Sequence, residues 1–259
     1  MNALKRILQK WSLALKVLPI LLLVVVLKIL SHAYGFEVLE LNALFTSLVA
    51  STVFLLGFLI SGVLSDYKES EKIPSELAAS LETLFDDAYT IHKGKGSPAA
   101  RQLLEHHRSL MGALNDWFYK RVRTQAVLEL IGGMNAFFIA MENEGVQANY
   151  IIRMKNEQSV IRKAVLRIHT IRDTEFVQSA YAIVEALGFA IAFGMILIKI
   201  EPFYESLFFT VLVTFLIAYM FFLIKDLDNP FDYSTHGETG TEIPLKPLHD
   251  LELRLKNHC

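Results

Sequence analysis

Apolar residues are concentrated in two blocks of the chain, residues 13–64 and 180–224. A helix needs roughly 20 mostly apolar residues to cross a hydrocarbon layer about 30 Å thick. Each block is long enough for two such helices, and a short, more polar segment divides it. The pattern therefore predicts two pairs of transmembrane helices, at about residues 13–30, 43–64, 180–198 and 207–224.

The segment between the pairs, residues 65–178, carries fifteen Lys and Arg and fifteen Asp and Glu. Apolar residues recur in it at helical spacing, as in Leu77, Leu81 and Leu84, and no strand-like alternation of useful length occurs. Ser97-Pro98 has the composition of a helix start. Gly132-Gly133 indicates a helix break or a close helix crossing. The tail after Phe231 looks mostly irregular.

These patterns predict an all-α fold with four transmembrane helices in two pairs and a helical cytoplasmic domain between them. The predicted organisation is an N-terminal tail with the first pair, the helical domain, the second pair and a cytoplasmic tail, at 1–64, 65–178, 179–225 and 226–259.

Lys and Arg near the ends of the spans predict the orientation. The N-terminal tail carries Lys5, Arg6 and Lys10, whereas the loop of residues 31–42 has no Lys or Arg. Both termini and the middle domain are therefore expected on the cytoplasmic side of the plasma (inner) membrane. Lys16 and Lys28, near the ends of the first span, are expected to snorkel to the headgroups. Reading that span as a cleaved signal peptide is disfavoured by its length and by Lys28.

Composition and motifs give no support for an enzyme. The chain is 53% hydrophobic and 20% charged, and its net charge of −2 gives no reason to expect nucleic acid. No Gly-rich phosphate loop, nucleophile elbow or His-Glu-x-x-His motif occurs. Neighbouring His106 and His107 would point about 100° apart on a helix, which suits a polar face better than a metal site. We therefore predict no catalytic residue, metal or cofactor.

Two features of the spans remain as candidates for function. Glu185 is an ionisable residue within the third span, and either an interfacial position or an ion path explains it. In the second span, Ala50, Phe54 and Phe58 share one helical face at four-residue spacing. That spacing alone fits ordinary helix packing as well as pore lining.

Two short motifs resemble the bestrophin family of channels, and most closely its bacterial branch. Phe54-Leu55-Leu56-Gly57-Phe58, with the following Asp66-Tyr67-Lys68-Glu69, resembles the family's pore-lining helix and its exit. The segment after the fourth span resembles the family's acidic Pro-Phe signature and consists of Asp226, Leu227, Asp228, Asn229, Pro230 and Phe231. The resemblance implies homopentamers around an axial pore, with Phe54 and Phe58 as neck rings and Ala50 at a third ring position.

The sequence departs from the animal members of that family after Pro-Phe, where they carry a run of acidic residues that helps to bind calcium. Here Asp232 and Glu238 are separated by five residues. Since Ca²⁺ needs six to eight oxygens in a compact cage, we expect no calcium activation of that kind.

The expected function is an oligomeric, bestrophin-like ion channel that conducts chloride or other small anions. Its partners would be the lipid bilayer, small inorganic ions and copies of itself, a pentamer by the resemblance. One alternative is a non-conducting membrane scaffold or sensor whose cytoplasmic helices bind a partner protein. A further alternative is a proton-coupled transporter that uses Glu185.

Overall fold

The computed structural model describes residues 11–173, 178–233 and 242–256, which are almost entirely helical. Two-residue strands β1 (Leu39–Glu40) and β2 (Ile198–Lys199) form a small parallel pair. The helices are α1 (Ser12–Ala33), α2 (Ala43–Ser70), α3 (Ile73–Lys95), α4 (Pro98–Phe118), α5 (Thr124–Asn143), α6 (Ala148–Asp173), α7 (Gln178–Leu197), α8 (Phe203–Asp228) and α9 (Lys246–Lys256).

The chain forms two compact units. The first, here the membrane unit, comprises Met1–Tyr67 and Glu175–Asp228, and the second, the bundle unit, comprises Lys68–Thr174 and Asn229–Cys259. Because both units are built almost entirely of helices, the all-α fold class predicted from the sequence is confirmed.

In the membrane unit, α1 packs on α7 and α8, and α7 packs on α8. The second helix joins the core through one side only, where Leu56, Leu59 and Val63 form a cluster with Val184 and Ile191 of α7. The strand pair links the segment before α2 to the segment between α7 and α8, with Leu39 opposite Ile198. The burial of Leu56, Leu59 and Val63 therefore determines which face of α2 points away from the core of the membrane unit.

Much of the outer surface of α1 and α8 is aliphatic or aromatic, as at Leu22, Leu23, Phe208 and Leu212. An exposed apolar surface of this extent suits a helix surrounded by lipid tails. Among the described residues, five helical segments are long and apolar enough to cross a membrane, judged by length and composition. Four of them overlap the predicted spans, and the protein is a membrane protein.

The fifth apolar segment, Thr124–Asn143, was not among the predicted spans. It forms α5 of the bundle unit, where Val127, Ile131 and Met134 are fully buried. Its apolar side chains pack against α4 and α6.

The bundle unit is a closed ring of four helices, since α3 contacts α4 and α6, and α5 contacts the same two. The Ser97-Pro98 helix start is confirmed, because the Ala100 N–H donates to Ser97 Oγ over 3.0 Å. The α3 C-cap, Gly96, has a φ of 68°, which glycine adopts without a steric penalty.

Of the two interpretations of Gly132-Gly133, the structure supports a helix crossing and not a break, because α5 is continuous through the pair. A Cβ on Gly133 would lie 3.4 Å from the His106 ring of α4, and one on Gly132 would lie 3.9 Å from the Arg162 side chain of α6. In the described part of the tail, Lys246–Lys256 forms α9, which packs on α3 and buries Leu248 and Leu251. An apolar face on so short a helix is a weak sequence signal.

Candidate functional site

Helix α2 has two different faces. Its inner face is aliphatic and buried in the membrane-unit core, apart from Thr52, whose hydroxyl donates to Leu48 O over 2.9 Å. Its outward face carries Phe54 and Phe58, which are 78% and 69% exposed. Ala50 is exposed on the same face. The structure thus brings the three residues of the predicted neck onto one unpacked stripe.

The composition of this stripe is unlike that of the lipid-like surfaces on α1 and α8. Apart from the two phenylalanines, only Leu64 is large and apolar among its exposed positions between residues 47 and 65. The others are small or hydroxylated: Ser47, Ala50, Ser51, Gly57, Ser61, Gly62 and Ser65. Small and hydroxyl side chains gain little from lipid tails, whereas they suit close helix contact or water.

The start of α2 is fixed by local contacts. Asn42 caps the helix, because the Phe45 N–H donates to Asn42 Oδ1 over 2.9 Å. The Phe45 ring lies against Gly194 of α7, where an added Cβ would overlap it. Any larger residue at this position would require the Phe45 ring to shift.

An ion cluster holds the loop that precedes α2. Lys28 was expected to snorkel, but it is fully buried: its Nζ lies 2.6 Å from Glu37 Oε1 and donates to Ile198 O over 2.5 Å. Glu37 Oε2 is 2.8 Å from His32 Nδ1, and the His32 ring stacks on Phe203. Burial alone would raise the pKa of Glu37, but its bonds with His32 and Lys28 hold that pKa below the ordinary value. A lysine at the end of an apolar run was the only sequence signal for this cluster.

The structure divides the post-helix motif. In the membrane unit, Asp226 accepts from Lys16 Nζ over 3.2 Å, which ties the end of α8 to α1. Asp228 is the last residue of α8.

In the bundle unit, Asn229 and Pro230 lead into the fully buried Phe231. Phe231 O accepts from Arg172 Nε over 3.1 Å, and Pro230 O accepts from the Ile243 N–H over 3.0 Å. The Pro-Phe segment therefore acts as a packing anchor in its unit. Asp232, considered above for calcium, pairs with Lys120. Glu238 lies outside the described residues.

Glu185 lies on α7 and lines a mostly apolar cavity of about 230 Å³ with Thr214 and Phe222 of α8. No residue of α2 lines this cavity. The structure therefore does not bring Glu185 together with the Phe54 and Phe58 stripe.

The adjacent histidines are structural. His106 Nε2 is 2.7 Å from Leu130 O, and His107 Nε2 is 2.9 Å from Leu81 O, so the two rings face different helices. Burial lowers the pKa of His107 to about 4, which keeps its ring neutral near pH 7. Across residues 11–173, 178–233 and 242–256 no cluster of His, Cys and acidic side chains has the grouping of a metal site.

Comparison with solved structures identifies the fold. The chain matches a crystal structure of a bacterial bestrophin homologue from Klebsiella pneumoniae with a TM-score of 0.73 and 16% identity, over 92% of this chain and 96% of that one. A point mutant of the Klebsiella homologue gives a TM-score of 0.74 at 16% identity, over 93% of this chain and 98% of that one. No protein-family model and no curated protein matches the sequence.

The chain therefore has the all-α membrane fold of the bestrophins. The particular structures that it matches are those of bacterial bestrophin homologues, as the sequence motifs predicted. At 16% identity the likeness is one of fold.

Proposed function

We propose that the protein is an oligomeric, bestrophin-like ion channel that conducts chloride or other small anions. Ions would pass along an axial pore whose hydrophobic neck is formed by Phe54 and Phe58, with Ala50 at a third ring. The observation that carries this proposal is the outward stripe of α2, in which two exposed phenylalanines stand among serines, glycines and alanine.

Such a stripe is explained by a helix that faces copies of itself around an aqueous axis. Serines on either side of the phenylalanines would meet water, and the two aromatic rings would form a short dry constriction. A constriction of this kind gates by dewetting, and the positive edges of aromatic rings tolerate anions. Anion preference is thus an electrostatic expectation for this neck.

A pore of this kind requires several subunits. Four helices leave no room for a water-filled path within one subunit, whereas a cyclic assembly closes through heterologous contacts. The pentamer is inferred from the family resemblance. The distribution of Lys and Arg supports a plasma (inner) membrane location with both termini in the cytoplasm.

Anion flux through purified protein in liposomes tests the proposal. We expect chloride-dependent flux, and we expect Phe54→Ala and Phe58→Ala to raise it. If each ring adds on the order of 1 kcal/mol to the dewetting barrier, the rise is about fivefold. Phe208→Ala is the matched control, since Phe208 is 60% exposed but lies on α8, and it should leave flux unchanged.

Two results would contradict the proposal. Absence of flux in a well-folded, reconstituted protein would favour the scaffold or sensor. Equal flux in wild type, Phe54→Ala and Phe58→Ala would place the neck elsewhere. Loss of proton-coupled flux in Glu185→Gln would instead support the transporter alternative.

A further inference from the structure

An open cavity of about 650 Å³, lined by both polar and apolar side chains, lies wholly within the bundle unit. It opens beside the turn between α4 and α5, and Arg172 and Asn229 also line it. Small-molecule sites have volumes of about 300–1,000 Å³, so the cavity has room for a metabolite. The side chains around it indicate which class of molecule.

Arg172 supplies a positive charge in the cavity wall. In the described part of the chain, no carboxylate forms an ion pair with its guanidinium. Its guanidinium donates to three backbone carbonyls, Phe231 O at 3.1 Å, Trp117 O at 3.2 Å and Phe118 O at 2.9 Å. It also lies 4.6 Å from the centre of the Trp117 ring. Burial lowers the pKa of Arg172, partly offset by Tyr233, Asp232 and Asp173. Neutral carbonyls hold the group in place without cancelling its charge.

Arg123 is a second arginine that lines the same cavity. It is the N-cap residue of α5, it provides no side-chain cap, and the first turn of α5 contains no acidic residue. The positive end of a 20-residue helix dipole is therefore left without a negative side chain in its own first turn. An anion placed here would meet both the guanidinium and the N–H groups of that turn.

The two acidic residues of the lining also contact other side chains. Asp232 pairs with Lys120, and Asp173 Oδ2 lies 3.4 Å from His169 Nδ1. The cationic side chains of the lining are Lys120, Arg123 and Arg172, so together with these two carboxylates the lining carries a net positive charge. Asn229 Oδ1 is buried and has no hydrogen-bond donor among the described residues.

We propose that this cavity binds a small molecule that bears a phosphoryl group, with Arg123 and the start of α5 contacting the phosphoryl oxygens and Arg172 supplying charge from the wall. A phosphoryl group suits the site because its several oxygens match the fork of a guanidinium and the N–H groups of a helix start. This site goes beyond the proposed function and does not depend on whether the protein conducts ions.

Binding of inorganic phosphate and of pyrophosphate to the full-length protein in detergent tests the site, by calorimetry at constant ionic strength. We expect saturable binding that Arg123→Gln weakens by at least about tenfold, because a charge-assisted, forked contact is lost. Arg123→Lys should retain part of the affinity. The matched control is Arg101→Gln, which should bind like wild type. Arg101 is an exposed arginine of the same unit, and within the described part of the chain its ion-pair partner is Glu105.

A second binding experiment distinguishes between a lipid headgroup and a free metabolite as the molecule that carries the phosphoryl group. Binding of a soluble short-chain phosphatidic acid in preference to pyrophosphate would identify a lipid headgroup as the ligand, and the reverse preference a free metabolite. The proposal is overturned if neither phosphate, pyrophosphate nor the lipid binds up to about 10 mM, or if Arg123→Gln and Arg101→Gln bind equally. If Ca²⁺ binds and no phosphoryl compound does, the aspartates of the cavity form a cation site, and the proposal is overturned as well.

Discussion

Removing one partner of the Lys28 and Glu37 pair is expected to destabilise the membrane unit strongly. The Lys28 side chain is fully buried and that of Glu37 is 7% exposed, with 2.6 Å between Nζ and Oε1. Glu37→Gln would leave the Lys28 ammonium buried without its counter-charge. Breaking a buried pair in this way costs about 3–5 kcal/mol.

That free-energy cost converts to a measurable change in Tm. In a chain of this size, 1 kcal/mol shifts Tm by about 2–4 °C, so Glu37→Gln should lower the Tm of the detergent-solubilised protein by about 6–20 °C. The double variant Lys28→Met/Glu37→Gln should be more stable than Glu37→Gln alone, because it removes the unpaired charge. Glu201→Gln is the matched control: it breaks the exposed Lys199 pair of 2.7 Å and should not change Tm measurably.

Either of two results would contradict this prediction. A Tm change of less than about 2 °C in Glu37→Gln would mean that the pair is exposed to water or headgroups. Additive losses in the double variant would mean that the two residues do not interact, and that each stabilises the loop before α2 separately.

Two further predictions concern stability. The pKa of His107 is about 4 in the folded protein and near 6.5 in an unfolded chain. The free energy of unfolding is therefore highest above pH 6.5. It falls by about 3 kcal/mol as the pH drops to 4, because the unfolded chain then binds a proton that the folded protein does not. In His107→Gln, which can still donate to Leu81 O, that part of the pH dependence of urea unfolding should disappear; an unchanged slope would contradict the assignment. Gly194→Ala should cost about 1–3 kcal/mol, because its methyl group overlaps the Phe45 ring. Gly112→Ala, where the added methyl meets open space, should be neutral or stabilising by up to about 1 kcal/mol, and equal effects of the two substitutions on Tm would refute the packing argument.

The helical fold and the apolar helices were predictable from local patterns. Length and apolar content mark a helix that can cross a membrane, because the thickness of the hydrocarbon layer sets the number of residues needed. The helix start at Ser97-Pro98 was predictable for a similar reason, since a cap depends on residues within one turn. The α5 segment shows the limit of this reasoning, because its composition fits both a span and a bundle helix.

The partners of the charged residues were not predictable. Lys28 at the end of an apolar run suggests snorkelling, yet its ligands include the Ile198 carbonyl, 170 residues away. Arg172 likewise gives no sign in the sequence that it binds the backbone of Phe231, 59 residues further on. Contacts between residues so distant along the chain depend on how the helices pack, and no local spacing encodes them.

The amino-acid sequence by itself determined the all-α fold class, the apolar helices, and the shared face of Ala50, Phe54 and Phe58, since these follow from the length and periodicity of single helices. Only the tertiary structure decided that this face is the outward one, because the rotation of α2 about its axis is set by the burial of Leu56, Leu59 and Val63 against α7. It also decided which charges are paired, since burial makes an unpaired charge costly and so selects partners across the fold.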